Sequence, residues 1–322
     1  MTSSPALPQN PSEKPPRRHG LMHLAMLLVT FCWASNIVAG KEALTGFGPL
    51  ALAQLRVSGT AAVYVAALLG SRGWVSLDHS FREWMRLGLV AVNGITLNQL
   101  LFMGGLSRTS VGHTGLIVAT GPVMVLVLAC LLRLESLTAW KFVGMLISFG
   151  GVAVLTAEKA RGTNGGYWAG DLILLAGSAV FAYYTILVKE VAGRFDALTL
   201  NALTFGMGAL LMLPLSAPSL LRVGWMQLPA RAWWGLAYMV IMGSVVPYIL
   251  FAWALTELAA SRVAAFNYLQ PVIATGLGIW LLAERLTPKV VAGGALILVG
   301  VYLTERERGE EKPARAAAPD AA

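Results

Sequence analysis

The fold turns on two segments, GITLNQLLFMGGL at residues 94–106 and GSVVPYILFAWAL at residues 243–255. At an offset of 149 residues Gly94 meets Gly243, Leu101-Phe102 meets Leu250-Phe251, and Leu106 meets Leu255. The same offset continues without a gap. It pairs Pro122-Val123 with Pro271-Val272, Glu135 with Glu284, Leu137-Thr138 with Leu286-Thr287, Gly144 with Gly293, and Gly151-Val152 with Gly300-Val301. An offset of 148 pairs Lys41-Glu42 with Lys189-Glu190. Leucine and valine match cheaply in apolar sequence, but Pro, Glu and Gly held at one offset do not. The chain reads as an internal duplication, a frequent feature of transporter folds.

The solvent of this duplication follows from composition. Of 322 residues 57% are apolar and 12% charged, where a soluble domain carries about 25% charged. The mean hydropathy is +0.67. A soluble protein of this length has no interior large enough for that apolar surface, so lipid must be the solvent. This excludes a soluble enzyme, a disordered scaffold and a nucleic-acid-binding domain. The net charge of +8 fits basic residues anchoring cytoplasmic loops rather than nucleic-acid binding. Cys32 and Cys130 sit inside apolar runs without metal-ligand or CxxC spacing, so they read as small core hydrophobes.

Ten apolar segments lie at about 21–40, 48–69, 84–105, 110–133, 139–157, 168–188, 197–217, 232–255, 261–283 and 288–304. Each is close to the ~20 residues that cross a bilayer as a helix. Helices alone satisfy their own backbone in lipid without a closed barrel. The fold expected is all-α, an integral membrane protein of ten transmembrane helices. Residues 1–19 and 305–322 are polar and read as disordered cytoplasmic tails. Residues 20–157 and 168–304 form the two repeats, joined by a periplasmic linker at 158–167. With both ends inside, the inner segments hold 15 Lys and Arg and the outer loops 8, which supports that orientation. Five spans per repeat is an odd number, so the second repeat enters the membrane inverted. Two inverted halves rocking against each other give a physical route to alternating access.

Two stretches also carry a family resemblance. One runs from Leu106 through Pro122, Glu135, Leu137-Thr138 and Gly144 to Gly151. The other runs from Leu255 through Gln270-Pro271, Ala283-Glu284-Arg285-Leu286-Thr287 and Gly293 to Gly300. The mid-helix proline, the Glu-Arg-Leu-Thr turn and the glycine-spaced last helix resemble the EamA family of the drug/metabolite transporter superfamily. Trp33-Ala34-Ser35-Asn36, Arg56 and Tyr248 fit its two repeats. Arg133-Leu134-Glu135-Ser136 departs from the pattern, lacking the Glu-Arg pair, and Glu135 reads as a helix-boundary residue. The resemblance implies ten helices and transport of small organic solutes, often amino acids, often outward.

No span carries an acid near its middle, which weakens ion-coupled models that need a buried carboxylate. Glu42, Asp171 and Glu257 lie near span ends and are candidates for such a carboxylate or, as the favoured reading, solvated helix termini. His113, in the first turn of span 4, is a candidate proton site or a neutral histidine bonded to a neighbour. Arg56, within span 2, could meet a substrate carboxylate through its planar fork or snorkel to the surface. The candidate substrate-binding set is Trp33, Asn36, Asn98, Gln99, Tyr183, Tyr248, Asn267 and Gln270. Asn267 and Gln270 are three apart and share a helix face. Gln99 and Tyr248 are repeat counterparts. Amides and phenols suit a neutral or zwitterionic solute, although each could simply join two helices. Pro122 and Pro271 each free a carbonyl one turn earlier and are candidates for a helix break or gate.

These residues point to a carrier of a small organic metabolite in a bacterial inner membrane, an amino acid being favoured and an aromatic one included, and the resemblance implies that it works as an exporter. The rival is a multidrug or lipid carrier of the same superfamily, with a channel or receptor behind it. No catalytic residue, metal site, cofactor or nucleic-acid partner is expected. The partners expected are the solute and the bilayer, and a homodimer is allowed.

Overall fold

The first helix, α1 (Pro16–Ala43), opens on a proline. Its fixed φ suits a first helical turn, and the missing N–H is an orphan there anyway. The start lies inside the 1–19 stretch expected to be tail. The structure, a computed structural model, describes residues 16–72, 80–132, 138–157, 167–191, 194–257 and 266–306. The rest of both expected tails, most of the 158–167 linker, and the Arg133–Ser136 turn lie outside the described residues.

The chain continues as α2 (Pro49–Arg72), α3 (Phe81–Val90), α4 (Asn98–Leu106), α5 (Val111–Val118), α6 (Gly121–Leu131) and α7 (Ala139–Thr156). After these come α8 (Trp168–Val191), α9 (Ala197–Leu221), α10 (Ala230–Val240), α11 (Val246–Glu257), α12 (Gln270–Leu282) and α13 (Pro288–Arg306). Among the described residues there is no strand element. Side chains set several starts. Ser80 and Glu83 form a reciprocal capping box on α3, and Asp196 accepts the Leu198 and Thr199 N–H groups on α9.

Seven helical stretches among the described residues are long and apolar enough to cross a membrane. Three of them are composite, two of them through a π stretch. Between α3 and α4 the helix widens into a π stretch at Ala91–Leu97, and between α10 and α11 into another at Ile241–Val245. The two fall at matching places of the repeat. Three further apolar helices are shorter: Ala139–Leu155, Gln270–Leu282 and Pro288–Leu303. Span 4 is broken at Ala119-Thr120, between α5 and α6. The segment leading into α12 is a 3₁₀ turn at Phe266–Leu269. Pro122 and Pro271 stand in the first turns of α6 and α12, where a missing N–H costs least.

Packing follows the duplication. α2 lies against α9, α5 against α12, and α7 against α13. The α2–α9 and α7–α13 pairs each join a helix to its own repeat counterpart, so both contacts sit on one pseudo-two-fold axis, whereas α12, the counterpart of α6, meets α5 within the paired spans 4 and 9. At the α7–α13 crossing the backbones touch. A Cβ on Gly151 would stand 2.7 Å from the Gly293 carbonyl, and one on Gly300 2.5 Å from the Gly144 carbonyl. The axis exchanges these two contacts. Small residues permit such close approach where lipid supplies no hydrophobic drive between helices. Leu21, Leu24, Leu28 and Phe31, at helical spacing on α1, are exposed and make a lipid-facing stripe.

Candidate functional site

Span 8 prepares the site through its backbone. Pro247 has no N–H to return to the carbonyl of Gly243, four residues earlier, and the π stretch disturbs the ladder further. The freed groups are taken by α2. Arg56 donates from Nη2 to the Gly243 carbonyl at 2.8 Å and from Nε to Ser244 Oγ at 2.9 Å. Tyr64 donates its hydroxyl toward the Val245 carbonyl at 2.8 Å. Arg56 is 2% exposed, so it does not snorkel, and the surface reading of this residue is corrected. Its guanidinium carbon also lies 5.9 Å from the Phe102 ring centre, within cation–π range.

Beside this arginine is a cavity of about 100 Å³, room for several waters or a small solute. Trp33, Asn36, Arg56, Asn98, Gln99, Tyr248 and Gln270, all named from sequence, line it. Trp33 stands edge-on to Phe181 at 5.8 Å and to Tyr248 at 6.0 Å between ring centres. Gln99 Nε2 donates to Tyr248 Oη at 3.3 Å, and Asn98 Nδ2 to the Gly177 carbonyl at 3.4 Å. Gln99 and Tyr248 are repeat counterparts in contact, so the cavity lies on the pseudo-axis. Trp33 with Phe181 and Gly121 with Gln270 are two further counterpart pairs in its wall. None of the described lining residues is acidic, and Arg56 is the cation among them.

The other candidates lie elsewhere. Tyr183 is half-buried and packs on the core outside the cavity wall, whereas its neighbour Tyr184 is buried against Gly94. The side chain of Asn267 lies outside the described residues. Pro122 and Pro271 flank the wall, next to Gly121 and Gln270. The sequence reading passed over Phe181, although its counterpart Trp33 was singled out and the 148 offset connects them. It also passed over Pro247, whose signal is a proline four residues after a glycine in mid-span.

His113 and Asp171 are paired away from the cavity. His113 Nδ1 lies 2.9 Å from Asp171 Oδ2, and Thr109 Oγ1 donates to Asp171 Oδ1 at 2.5 Å. Both side chains are almost fully buried, and Tyr167 stands edge-on to the imidazole at 4.7 Å. Asp171 is thus not the solvated terminus expected from its place in the first turn of α8, because the start of α5 covers it. The pair ties α5 to α8. Removing one member of a buried pair costs about 3 kcal/mol, so Asp171→Ala should lower the thermal midpoint markedly in detergent. An unchanged midpoint would show that the pair does not hold α8.

One further carboxylate joins the repeats. Ala283 adopts φ 51° and turns the chain out of α12. Glu284 then accepts the N–H groups of Val111 at 2.7 Å and Gly112 at 3.0 Å. An acid at a helix N-terminus is favourable both as a cap and toward the helix dipole. Glu284 is accordingly a structural cap on α5, whereas its counterpart Glu135 lies outside the described residues.

Known proteins resemble this arrangement along most of the chain. The model of the EamA-like transporter family matches residues 20–157 and 168–306. An uncharacterized transporter of Archaeoglobus fulgidus is 27% identical over 88% of this chain and 96% of its own length. A probable terminal-alkyne amino-acid exporter of Streptantibioticus cattleyicolor is 26% identical, over 88% of this chain and 92% of its own. A solved protein structure superposes with a TM-score of 0.61 at 19% identity, covering 91% of this chain and 99% of that one, which shows the fold. Two matched repeats of apolar helices and a multi-pass membrane architecture lead to one statement: the chain belongs to the EamA-like transporter family.

Proposed function

We propose that this chain is a ten-span secondary transporter that exports a small organic metabolite, an amino acid, across a bacterial inner membrane, with the central cavity as its substrate site. Residues 20–157 and 168–304 are its two inverted five-helix repeats, linked on the periplasmic side, and both termini face the cytoplasm. Seven helices long and apolar enough to cross a membrane, with three shorter apolar helices beside them among the described residues, support that number. The excess of Lys and Arg on the inner side supports the orientation.

The observation that carries this reading is the seat of the cavity on the pseudo-two-fold axis. A site there is equidistant from both membrane faces, and exchange of roles between the repeats opens it to one face and then the other. Pro122 and Pro271 place helix breaks at that level, where bending is cheapest. The described lining of amides, one phenol and one guanidinium, with no acid among those residues, supports a zwitterionic solute over a cation. The similarity to a probable amino-acid exporter points the same way. Trp33 and Phe181, edge to face, supply apolar wall for a side chain, aromatic ones included.

Counterflow in proteoliposomes tests the reading. Liposomes loaded with each unlabelled amino acid should accumulate its labelled form, saturably, for at least one class. Folded protein that accumulates none of them would sink the amino-acid reading. Accumulation of a hydrophobic cation or a lipid instead would favour the drug or lipid carrier.

A further inference from the structure

The cavity wall contains three buried polar atoms that nothing among the described residues satisfies. They are Arg56 Nη1, Asn36 Oδ1 and Gln99 Oε1. All three side chains are at most 3% exposed and all three line the cavity. Unsatisfied buried polar atoms are rare in folded proteins and are costly. Three in one wall call for a ligand, and they specify its chemistry. Arg56 offers donors and a positive charge, whereas the two amide oxygens can only accept.

From this we infer that the cavity grips a free α-amino acid by its two charged ends, the carboxylate on Arg56 and the ammonium between Asn36 and Gln99. The inference rests on the cavity being the transport site. Arg56 is held in place before the solute arrives. Its Nε and one Nη2 hydrogen are committed to Ser244 and Gly243, which leaves both Nη1 hydrogens and the second Nη2 hydrogen on its outer edge. That edge is the fork that meets a carboxylate with two parallel bonds. Gln99 is fixed likewise, because giving Nε2 to Tyr248 turns Oε1 the other way.

Two of the anchors, Arg56 and Asn36, are neighbours. Gly243 lies against both Asn36 and Arg56: a Cβ there would be 2.1 Å from Asn36 Oδ1 and 3.3 Å from Arg56 Nη2. The donor for the anion and an acceptor for the cation are therefore side by side, as the carboxylate and ammonium of an α-amino acid are. An amine without a carboxylate would face Arg56 with no neutralising acid in the described wall. A carboxylic acid without the amine would leave the two amide oxygens unsatisfied. Recognition of the carboxylate also reaches span 8, because the same guanidinium holds the Gly243 carbonyl.

The test uses the full chain in proteoliposomes. Each of the twenty labelled amino acids is tried in counterflow, and the best substrate is then competed with its own decarboxylated amine and its own deaminated acid. The amine and the acid are each expected to compete about tenfold or more weakly than the parent. Arg56→Met should abolish counterflow. Because that variant also loses two helix-joining hydrogen bonds, Asn36→Asp is the second arm. It is isosteric, leaves Arg56 pinned, and sets an internal carboxylate beside the guanidinium in place of the solute's. Counterflow should fall about tenfold or more in a protein of unchanged thermal midpoint, a loss that a merely structural asparagine would not produce. If wild type exchanges an amino acid but its amine competes equally, or Asn36→Asp exchanges normally, the two-ended grip is wrong and the transport reading stands. If folded wild type exchanges no amino acid, both fall.

Discussion

Gly300→Ala is expected to cost about 3 kcal/mol of stability and to lower the thermal midpoint of the detergent-solubilised protein by more than any surface substitution. The new Cβ would stand 2.4 Å from the Ser148 backbone nitrogen and 2.5 Å from the Gly144 carbonyl. Neither is the end of a flexible side chain, so α7 and α13 must separate along their crossing. Gly150→Ala is the control on the same helix pair, since a Cβ at Gly150 meets nothing within 4 Å. There the better helix propensity of alanine should leave the protein as stable or up to about 1 kcal/mol more so. Equal midpoints for the two variants would show that the glycine crossing does not hold these helices together.

Gly243→Ala should separate transport from stability. Its Cβ would fall 2.1 Å from Asn36 Oδ1, so the asparagine must leave its place beside Arg56. A side chain yields more readily than a backbone, and the loss of stability should be smaller than at Gly300. The cavity nonetheless loses one acceptor and the guanidinium is crowded. Counterflow should fall about tenfold or more, since tenfold corresponds to only about 1.4 kcal/mol. Gly206→Ala, where a Cβ meets nothing within 4 Å, should transport normally. Normal exchange by Gly243→Ala would mean that the solute does not use this side of the cavity.

Both variants illustrate how legible the protein was. The matched glycines at 144 and 293, and at 151 and 300, announced the duplication, but their offset alone did not say which backbones touch. The structure places Gly151 on Gly293 and Gly144 on Gly300, the crossed pairing that a two-fold axis requires. The polar set shows the same division. Asn36, Gln99 and Gln270 stood out because amides inside apolar runs need a reason. That Gln99 Nε2 is taken by Tyr248 while Asn36 Oδ1 has no partner among the described residues depends on neighbours contributed by helices far apart in sequence. Asp171 was misread for that reason. Its position in the first turn of α8 suggested water, and only the packing of Thr109 and His113 over it made it interior.

The sequence by itself determined the solvent, the helical class and the duplication. These follow from composition, from segment length against bilayer thickness, and from residues matched at a fixed offset, all of which are properties of the chain as written. Tertiary structure decided which residues share a cavity, which buried polar atoms go unsatisfied, and which charged groups are covered. Those depend on distances across helices, and a π stretch or a proline shifts them by a fraction of a turn. Arg56 belongs to both accounts. The sequence marked it as a cation inside a span, and the fold bound two of its nitrogens to span 8 and left the third for the cavity.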